Sequence, residues 1–369
     1  MTDTIVLTGG GTAGHIYPAL ALAQKLQERG FSVVYAGVDG RVEARLVPHA
    51  GLEFKSFNVT GFDRSKPWTG VTALLRLKKA EKEACEWLKK NDPKVVVGFG
   101  GYVSVPVTHT ANKLGIKTAI HEQNSHMGIA NRELSKVVDR VCLTYEIAGE
   151  VVSDKSKIVV TGNPVRPAVM EAKPEDGFKY LQIDDNQAFV LLIFGGSLGA
   201  KSINEAASKL KSEILKTNEH LYVVHITGKR DYETIKEELK LTEEEQQRWK
   251  LIDYCDKMPS VLACTDAIIS RAGATSLAEI SALKIPSILS PFPYATADHQ
   301  TKNAREYVDA GAAYMIADDR LETPEFRSLV LDLIKNEDTR KRMREAASSF
   351  GSVDAAENLC KVVVELLER

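Results

Sequence analysis

The sequence has few cysteines, little net charge and no long hydrophobic run, and each shortage argues against a class of protein. Its 369 residues include five cysteines, an odd number without a C-x-x-C pair, so neither a disulfide framework nor a zinc site is indicated. The longest uncharged stretch, 95–112, is broken by glycines and a proline, and no apolar run reaches the ~20 residues of a membrane-spanning helix. A net charge of −2 argues against nucleic-acid binding.

Two other signals are missing. The chain reads Met1-Thr2-Asp3-Thr4 and passes directly into an apolar run, without the basic head and apolar core of a signal peptide. No H-E-x-x-H motif, D-x-D pair or other metal-binding cluster occurs, so no metal site is predicted. We therefore expect a cytoplasmic protein, which can still touch a membrane surface.

Short apolar, β-branched runs alternate with helical patterns along the whole chain. This alternation is typical of doubly wound parallel sheets. Strands are predicted at 5–7, 32–36, 95–97, 118–121 and 140–143, and again at 189–194, 222–226, 249–252, 267–270, 287–290 and 313–316. Helices are predicted at 19–29, 71–90, 105–114, 127–137 and 201–215. The fold class is α/β, and because the second half repeats the first, we predict two doubly wound domains.

A proline-containing segment, 162–167, marks the predicted domain boundary. X-Pro pairs favour extended linkers over helices. We assign 1–163 to the first domain and 164–351 to the second. A last helix, at about 352–369, has an apolar face at helical spacing and is expected to pack back on the first domain.

Glycine-rich turns follow several of the predicted strands. Residues 8–15 read TGGGTAGH, and a second turn, 98–106, contains Gly100, Gly101 and Tyr102. A strand, a glycine turn and a helix start together present backbone N–H groups to an anion. Two such turns favour a long pyrophosphate. A dinucleotide-dependent dehydrogenase and plain close-packing turns remain alternatives, although Asp39 is the one acidic candidate for a ribose contact after the second strand.

Four polar residues, His121-Glu122-Gln123-Asn124, come just after the strand residues 118–120. Ligands collect at the carboxyl ends of parallel strands, and buried polar groups are costly unless they are hydrogen-bonded. This run favours a functional site, with a satisfied structural network as the alternative.

The second domain repeats the glycine turns. Gly195-Gly196-Ser197 follows a strand, and 270–279 runs from a strand through a turn into a helix that carries Glu279. Glu279 can accept two ribose hydroxyl protons, or it can merely complement the helix dipole. Further on, Gln300 and Asn303 share a helix face, and their amides suit a hydroxyl-rich sugar.

A basic segment lies in the first domain. Between residues 64 and 82, six cations face a single carboxylate, Glu81, with apolar residues interleaved. This composition favours an anionic membrane surface, and a solvated helix face is the alternative. The proposed contacts are Arg64, Lys66, Trp68, Leu74, Leu75, Arg76, Lys78 and Lys79.

Seven of these segments, in order, resemble the MurG family of bacterial N-acetylglucosaminyltransferases. They are 10–15, 98–106, 121–124, 162–166, 195–200, 270–279 and 300–303. The resemblance implies a GT-B fold, in which two Rossmann-like domains face each other across a cleft. It implies inverting transfer of GlcNAc from UDP-GlcNAc to the 4-hydroxyl of MurNAc in undecaprenyl-pyrophosphoryl-MurNAc-pentapeptide, the step from lipid I to lipid II in peptidoglycan synthesis. No cofactor is obligatory.

The resemblance also implies where and with what the protein works. The first domain would hold lipid I and face the membrane, and the second would hold UDP-GlcNAc. The protein would be peripheral, on the cytoplasmic face of the bacterial plasma membrane, with cell-wall synthesis proteins as candidate partners.

Site residues are carried over by motif. Donor contacts are Thr12, Ala13, Gly14, Asn124, Arg166, Ser197, Cys255, Ala274, Thr275, Ser276, Leu277, Ala278, Glu279, Gln300 and Asn303. Acceptor contacts are Gly11, Gly100, Gly101, Tyr102 and Asn131. One departure is Ala13, where the family usually has glycine; an alanine there needs a negative φ or room for a methyl group.

The reaction needs a base to take the acceptor hydroxyl proton. His15 is the first candidate, since its side chain ordinarily titrates near neutral pH, and Glu122 is the second. His15 could instead only hydrogen-bond the acceptor phosphate. Rival functions are another GT-B glycosyltransferase, a UDP-GlcNAc 2-epimerase, and a non-enzymatic UDP-sugar sensor or membrane scaffold.

Overall fold

The computed structural model describes residues 3–59, 69–196, 198–348 and 354–368. Backbone contacts divide the chain into two units. The first is Met1–Arg166 with Ser352–Arg369, and the second is Pro167–Gly351. The division after Arg166 lies three residues beyond the boundary predicted from the sequence.

The first unit is built on a seven-stranded parallel sheet. Its strands are β1 (Thr4–Thr8), β2 (Ser32–Gly37), β3 (Glu53–Ser56), β4 (Val95–Gly98), β5 (Lys117–Glu122), β6 (Arg140–Leu143) and β7 (Ile158–Val160). Its first helices are α1 (Ala13–Glu28), α2 (Val42–His49), α3 (Thr69–Asn91), α4 (Ser104–Lys113) and α5 (Ile129–Leu134), with 3₁₀ turns at Glu146–Val151 and Lys155–Lys157. The strand order is β3-β2-β1-β4-β5-β6-β7. Continuous apolar runs form the central strands because helices cover both faces of the sheet.

The second unit repeats the plan with a six-stranded parallel sheet. Its strands are β8 (Phe189–Phe194), β9 (Leu221–Ile226), β10 (Trp249–Ile252), β11 (Ala267–Ser270), β12 (Ser287–Leu289) and β13 (Ala313–Met315), in the order β10-β9-β8-β11-β12-β13. Its helices are α6 (Pro167–Met170), α7 (Pro174–Leu181), α8 (Lys201–Lys209), α9 (Lys211–Leu215), α10 (Tyr232–Leu239), α11 (Glu243–Arg248), α12 (Met258–Ala263), α13 (Ala274–Ala282), α14 (His299–Asp309), α15 (Pro324–Lys335) and α16 (Glu337–Ala347), with 3₁₀ turns at Thr296–Asp298 and Asp318–Arg320.

Two predicted helices differ from the structure. The helix predicted at 201–215 is divided into α8 and α9, because the backbone turns at Leu210, whose N–H reaches back three residues to the Ala207 carbonyl at 3.1 Å. The helix predicted at 127–137 is only α5. It ends at Leu134, where the Ser135 hydroxyl bonds to the Arg132 carbonyl at 2.9 Å and competes with the helical pattern.

The last helix, α17 (Ala355–Leu367), belongs to the first unit. Leu359 and Val363 are fully buried in the same apolar cluster as Leu22 and Leu26 of α1. At its edge, the Arg29 guanidinium contacts both Glu357 and the Cys360 thiol. The chain therefore returns to its first unit after the second unit.

Candidate active site

The predicted glycine turns lie at the topological switch point of each sheet, where the strand order changes direction. In the first unit, the turns after β1 and β4 and the polar run at the end of β5 follow three neighbouring strands. Ligands of doubly wound sheets bind at this position, outside the carboxyl ends of the strands. The sheet therefore brings together three segments, the first and last of which are more than a hundred residues apart in the sequence.

The two glycine turns of the first unit pack directly on each other. The Gly10 N–H donates to the Gly100 carbonyl at 3.2 Å. Gly101 has φ +80°, and a Cβ there would lie 2.4 Å from the Gly10 carbonyl oxygen. Only glycine fits this contact, so the close-packing interpretation accounts for Gly101.

The N–H groups of the first turn are used inside the protein. Gly11, with φ +87°, donates its N–H to the Glu43 carboxylate, 3.2 Å from Oε2. The side chain of Glu43 is fully buried, so the acceptor of the Gly11 N–H is a group of the protein and not a ligand. The prediction that Gly10 and Gly11 cradle an external anion is therefore wrong for these two N–H groups. Donors for an anion remain at the start of α1, at Ala13 and Gly14, where helix geometry leaves N–H groups without an intrahelical acceptor.

Ala13 is the first residue of α1, and Thr12 precedes it in an extended conformation. A helical position suits any L-residue, so an alanine in place of the family's glycine is unstrained here. The departure from the family motif leaves the turn intact.

His15 lies in the first turn of α1, half-buried, with its ring held by the backbone. Its Nδ1 lies 2.8 Å from the Gly10 carbonyl oxygen. A carbonyl oxygen only accepts, so Nδ1 carries the proton and Nε2 of the neutral ring presents a lone pair. A Cβ at Gly100 would lie 3.1 Å from Nε2, so the absence of a side chain there leaves room beside this nitrogen.

Glu122 organises the loop that follows β5. Its Oε1 accepts from the N–H and side-chain amide of Asn124, at 3.0 and 3.1 Å, and its Oε2 accepts from Gly128 N and Asn131 Nδ2, both at 2.9 Å. The residue is 2% exposed. A buried carboxylate with four donors favours a loop-organising role over the role of second candidate base. The same contacts commit the Asn131 amide nitrogen to the protein interior.

The rest of the polar run is also hydrogen-bonded internally. The His121 Nε2–H donates to the Gly162 carbonyl at 2.9 Å, and Gln123 Nε2 lies 3.1 Å from both His121 Nδ1 and the Phe99 carbonyl. Burial lowers the pKa of His121 to about 4, although the Gly162 carbonyl and Glu122 oppose this shift. His121 is therefore neutral at pH 7. The structural interpretation that we left as an alternative describes His121 and Gln123 well.

Arg166 and Tyr102 complete the predicted residues of the first unit. The Arg166 guanidinium carbon lies 4.4 Å from the ring centroid of Tyr17, one turn after the start of α1. Tyr102 is 59% exposed beside Gly101. Both side chains thus lie close to glycine turns that carry other predicted residues.

In the second unit, α13 begins at Ala274, directly after β11 and its turn, as predicted. Ala274, Thr275 and Ser276 form its first turn, and Leu277, Ala278 and Glu279 continue it. Glu279 is 6% exposed. Thr275 Oγ1 is buried without a hydrogen-bond partner in the described part of the chain, which is costly unless a partner is supplied. Ser197, in the turn after β8, lies outside the described residues.

Gln300 and Asn303, in the first turns of α14, both form hydrogen bonds with the backbone of Ala272. Gln300 Oε1 accepts from Ala272 N at 3.2 Å and from Phe292 N at 3.0 Å, and Asn303 Nδ2 donates to the Ala272 carbonyl at 3.3 Å. Asn303 is fully buried. Asn303 is therefore committed to the turn after β11, whereas Gln300, which is half-buried, uses only its oxygen in these contacts.

Arg271 was missed by the sequence analysis. Its guanidinium Nη1 donates to the carbonyls of Ser290 and Pro291, each at 3.1 Å, and to the Asp318 carboxylate, and Nη2 donates to Ser202 Oγ at 2.9 Å. It joins the segments that follow β11, β12 and β13 to the start of α8. The sequence did contain a signal for Arg271, since a charged residue between a buried strand and a glycine turn is unusual.

Cys255, one of the predicted donor contacts, lies in the segment between β10 and α12. Burial raises the pKa of its thiol. The thiol is therefore protonated at neutral pH.

Comparison with known proteins identifies the family. Residues 5–143 match the glycosyltransferase family 28 N-terminal domain, and residues 190–359 match the glycosyltransferase family 28 C-terminal domain. The UDP-N-acetylglucosamine–N-acetylmuramyl-(pentapeptide) pyrophosphoryl-undecaprenol N-acetylglucosamine transferase of Leuconostoc mesenteroides is 42% identical, over 98% of this chain and 99% of that protein. The protein of the same name from Halothermothrix orenii is 38% identical over 97% and 98%.

Solved structures agree. The crystal structure of Acinetobacter baumannii MurG matches with a TM-score of 0.77 and 27% identity, covering 98% of this chain and 99% of that one. A UDP-N-acetylglucosamine 2-epimerase matches with a TM-score of 0.69 but 14% identity, over 100% and 96%, which shows a shared fold only. The predicted GT-B fold is confirmed. On these grounds the chain belongs to glycosyltransferase family 28, within the MurG family of N-acetylglucosamine transferases.

Proposed function

We propose that this protein transfers GlcNAc from UDP-GlcNAc to the 4-hydroxyl of MurNAc in undecaprenyl-pyrophosphoryl-MurNAc-pentapeptide, with inversion at the anomeric carbon. The observation that carries the proposal is 42% identity to a transferase of this name across 98% of the chain. The epimerase is a weaker alternative, because likeness to it is limited to the fold.

In the proposed mechanism, His15 is the general base for the acceptor hydroxyl. The acceptor hydroxyl attacks the anomeric carbon, the bond from that carbon to UDP breaks, and His15 Nε2 takes the hydroxyl proton. The Gly10 carbonyl supports this role because it keeps the proton of the neutral ring on Nδ1. Ala13 and Gly14, which the family motif places beside both the donor sugar and the acceptor pyrophosphate, are proposed to donate their N–H groups to the pyrophosphate.

The second unit is proposed to hold the donor. The first turn of α13, Ala274–Ser276, would direct N–H groups and a positive helix end at the departing diphosphate, with Ser197 as a further donor. Glu279 would accept ribose hydroxyl protons. Gln300 would offer its amide nitrogen to the sugar, since its oxygen already holds the turn after β11.

A transfer assay tests the function. The protein is incubated with labelled UDP-GlcNAc, with and without a lipid I analogue, and the products are separated. We expect labelled lipid only when the acceptor is present. Conversion of UDP-GlcNAc without acceptor would indicate an epimerase, and binding without turnover would indicate a sensor; either result contradicts the proposal.

We also propose that α3 contacts the anionic cytoplasmic face of the plasma membrane. Leu75 is 63% exposed, and Arg76, Lys78 and Lys79 are exposed beside it. Leu74 lies in the same helix, and Arg64, Lys66 and Trp68 lie outside the described residues. Within those residues, no helix is both long enough and apolar enough to cross a bilayer. Contacts with cell-wall synthesis proteins stay a prediction.

Vesicle flotation tests the surface. Phosphatidylglycerol vesicles should carry the protein, and Lys78→Glu with Lys79→Glu should reduce this binding by about thirtyfold or more, because each of the two lost cations contributes ~1 kcal/mol near such a surface. Lys89→Glu with Lys90→Glu, at the other end of α3, makes the same charge change as a control. An equal loss in both double variants would contradict the assigned surface.

A further inference from the structure

A buried carboxylate lies beneath the first glycine turn and has no part in the mechanism above. Glu43, in the first turn of α2, is fully buried. Its Oε2 accepts from Gly11 N at 3.2 Å, and its Oε1 accepts from Val38 N at 3.3 Å. A buried charge is costly unless it is hydrogen-bonded, so these backbone contacts define where the carboxylate can lie.

Two glycines make room for this side chain. A Cβ at Gly10 would lie 2.2 Å from Glu43 Oε1, and a Cβ at Gly37 would lie 2.8 Å from Glu43 Cγ. The carboxylate is thus enclosed by backbone on both sides. The turn and the side chain fit each other, and neither position accepts a larger residue without movement.

One peptide group connects Glu43 with His15. The N–H of Gly11 and the C=O of Gly10 belong to the same planar unit, and in a trans peptide they point in opposite directions. Glu43 holds the N–H end, and His15 Nδ1 lies 2.8 Å from the oxygen at the other end. A rotation of this peptide would break both contacts, and two flanking glycines offer little resistance to such a rotation.

We propose that Glu43 is a positioning residue that acts through this peptide on His15. By holding the Gly11 N–H, it directs the Gly10 carbonyl at the imidazole and keeps the ring proton on Nδ1. Nε2 is then the nitrogen that accepts a proton. The inference rests on the proposed function for its kinetic consequence, but the orientation of His15 can be measured without turnover.

The first test is spectroscopic. The ¹⁵N chemical shifts of the imidazole, assigned by comparison with His15→Ala, report which ring nitrogen carries the proton. In the wild-type protein at a pH where the ring is neutral, we expect the proton on Nδ1. In Glu43→Gln, which places an N–H₂ donor near two backbone donors, we expect a mixture of tautomers. An unchanged tautomer in a folded variant would overturn the proposal, whatever the activity of the protein.

The second test is a kinetic double-mutant cycle. Glu43→Gln should lower kcat by about tenfold with little change in the KM for UDP-GlcNAc, and should have no further effect in a His15→Ala background. Asp139→Asn is the control, because Asp139 likewise accepts a backbone N–H, from Thr118 at 2.8 Å, at the opposite end of β5. Asp139→Asn should lower the stability of the protein but leave kcat unchanged.

Equal losses from Glu43→Gln with and without His15, or equal losses in the control, would contradict the proposal. If Glu43→Gln fails to fold, Glu43→Asp, which keeps the charge and withdraws it from the turn, is taken through the same comparison. A wild-type protein that transfers no sugar would instead refute the proposed function, while the spectroscopic test would still decide the role of Glu43.

Discussion

The orientation of His15 depends on a backbone carbonyl. Catalytic imidazoles are often oriented by a carboxylate, but Nδ1 of His15, the proposed base, faces the Gly10 carbonyl at 2.8 Å. A carbonyl fixes the tautomer without placing a full negative charge against the ring. Gly10 also packs against Gly100 and Gly101, so this packing and the proposed contact of Glu43 with the Gly11 N–H act on the same peptide.

Replacing His15 by alanine should abolish most turnover and leave UDP binding unchanged. General-base catalysis contributes ~10²–10⁴-fold, so kcat should fall within that range. The dissociation constant for UDP, measured by calorimetry, should stay within about twofold, because the proposed UDP contacts are largely in the second unit. His109→Ala, a half-buried histidine that pairs with Glu81 in the first unit, is the matched control. Turnover close to that of the wild type in His15→Ala would remove the base from this position.

Gln300→Glu tests the amide nitrogen of Gln300 independently of its oxygen. The glutamate keeps an oxygen for Ala272 N and Phe292 N, but it loses the N–H₂ group proposed to face the sugar. We expect the KM for UDP-GlcNAc to rise about tenfold, the equivalent of ~1.4 kcal/mol, with little change in melting temperature. Gln300→Ala should lower both affinity and stability. An unchanged KM in the glutamate variant would show that the amide nitrogen does not contact the donor.

Elements differ in how well the sequence predicts them, and the difference has physical causes. β1, β4 and β8 are buried on both faces and read as continuous apolar runs. β3 and β7, at the two edges of the first sheet, were not predicted. β3 (EFKS) carries charged residues and no apolar run, and β7 (IVV) is an apolar run of only three residues that is partly exposed. The glycine turns were located correctly.

The partners of those turns could not be located from the sequence. Glu43 is 32 residues away from Gly11, and Arg271 contacts Asp318, 47 residues further on. Local sequence patterns indicate which residues are buried and where the turns lie. These long-range contacts form only when the strands of the sheet are paired.

At the level of elements, the stability of the first unit should depend on α17. Leu359→Ala removes a fully buried side chain from the cluster shared with α1 and should cost about 2–5 kcal/mol of unfolding free energy. Calorimetric scanning should show a lower melting temperature for the first unit, while the transition that UDP stabilises stays in place. Lys361→Ala, exposed on the same helix, is the control. An unchanged scan would contradict the packing described for α17.

At the level of the whole molecule, each unit encloses a histidine that burial keeps neutral. Burial lowers the pKa of His121 to about 4 and that of His225 to about 3, from an ordinary value of 6.5. His225 Nε2 lies 3.1 Å from Asn204 Oδ1 and donates to it. In the unfolded chain both rings bind protons near pH 6.5, and in the folded protein they do not until the pH is much lower.

Stability should therefore fall as the pH drops below 6.5, since the unfolded state then binds more protons than the folded state. Each of these histidines should cost about 2 kcal/mol between pH 6.5 and pH 5. Urea unfolding of the second unit at these two pH values, in the wild-type protein and in His225→Gln, provides the measurement. The variant should lose less stability than the wild type on acidification. The same pH dependence in both proteins would contradict a neutral buried His225.

The position of α17 in the chain affects the order of synthesis. A ribosome translates β1–β7 first, then the whole second unit, and only afterwards the helix that covers Leu22 and Leu26. Domains generally fold as units, in the order in which they emerge. The second unit can therefore be complete while the first still exposes an apolar surface. During this interval the nascent first unit is the part of the molecule most exposed to aggregation and most dependent on a chaperone.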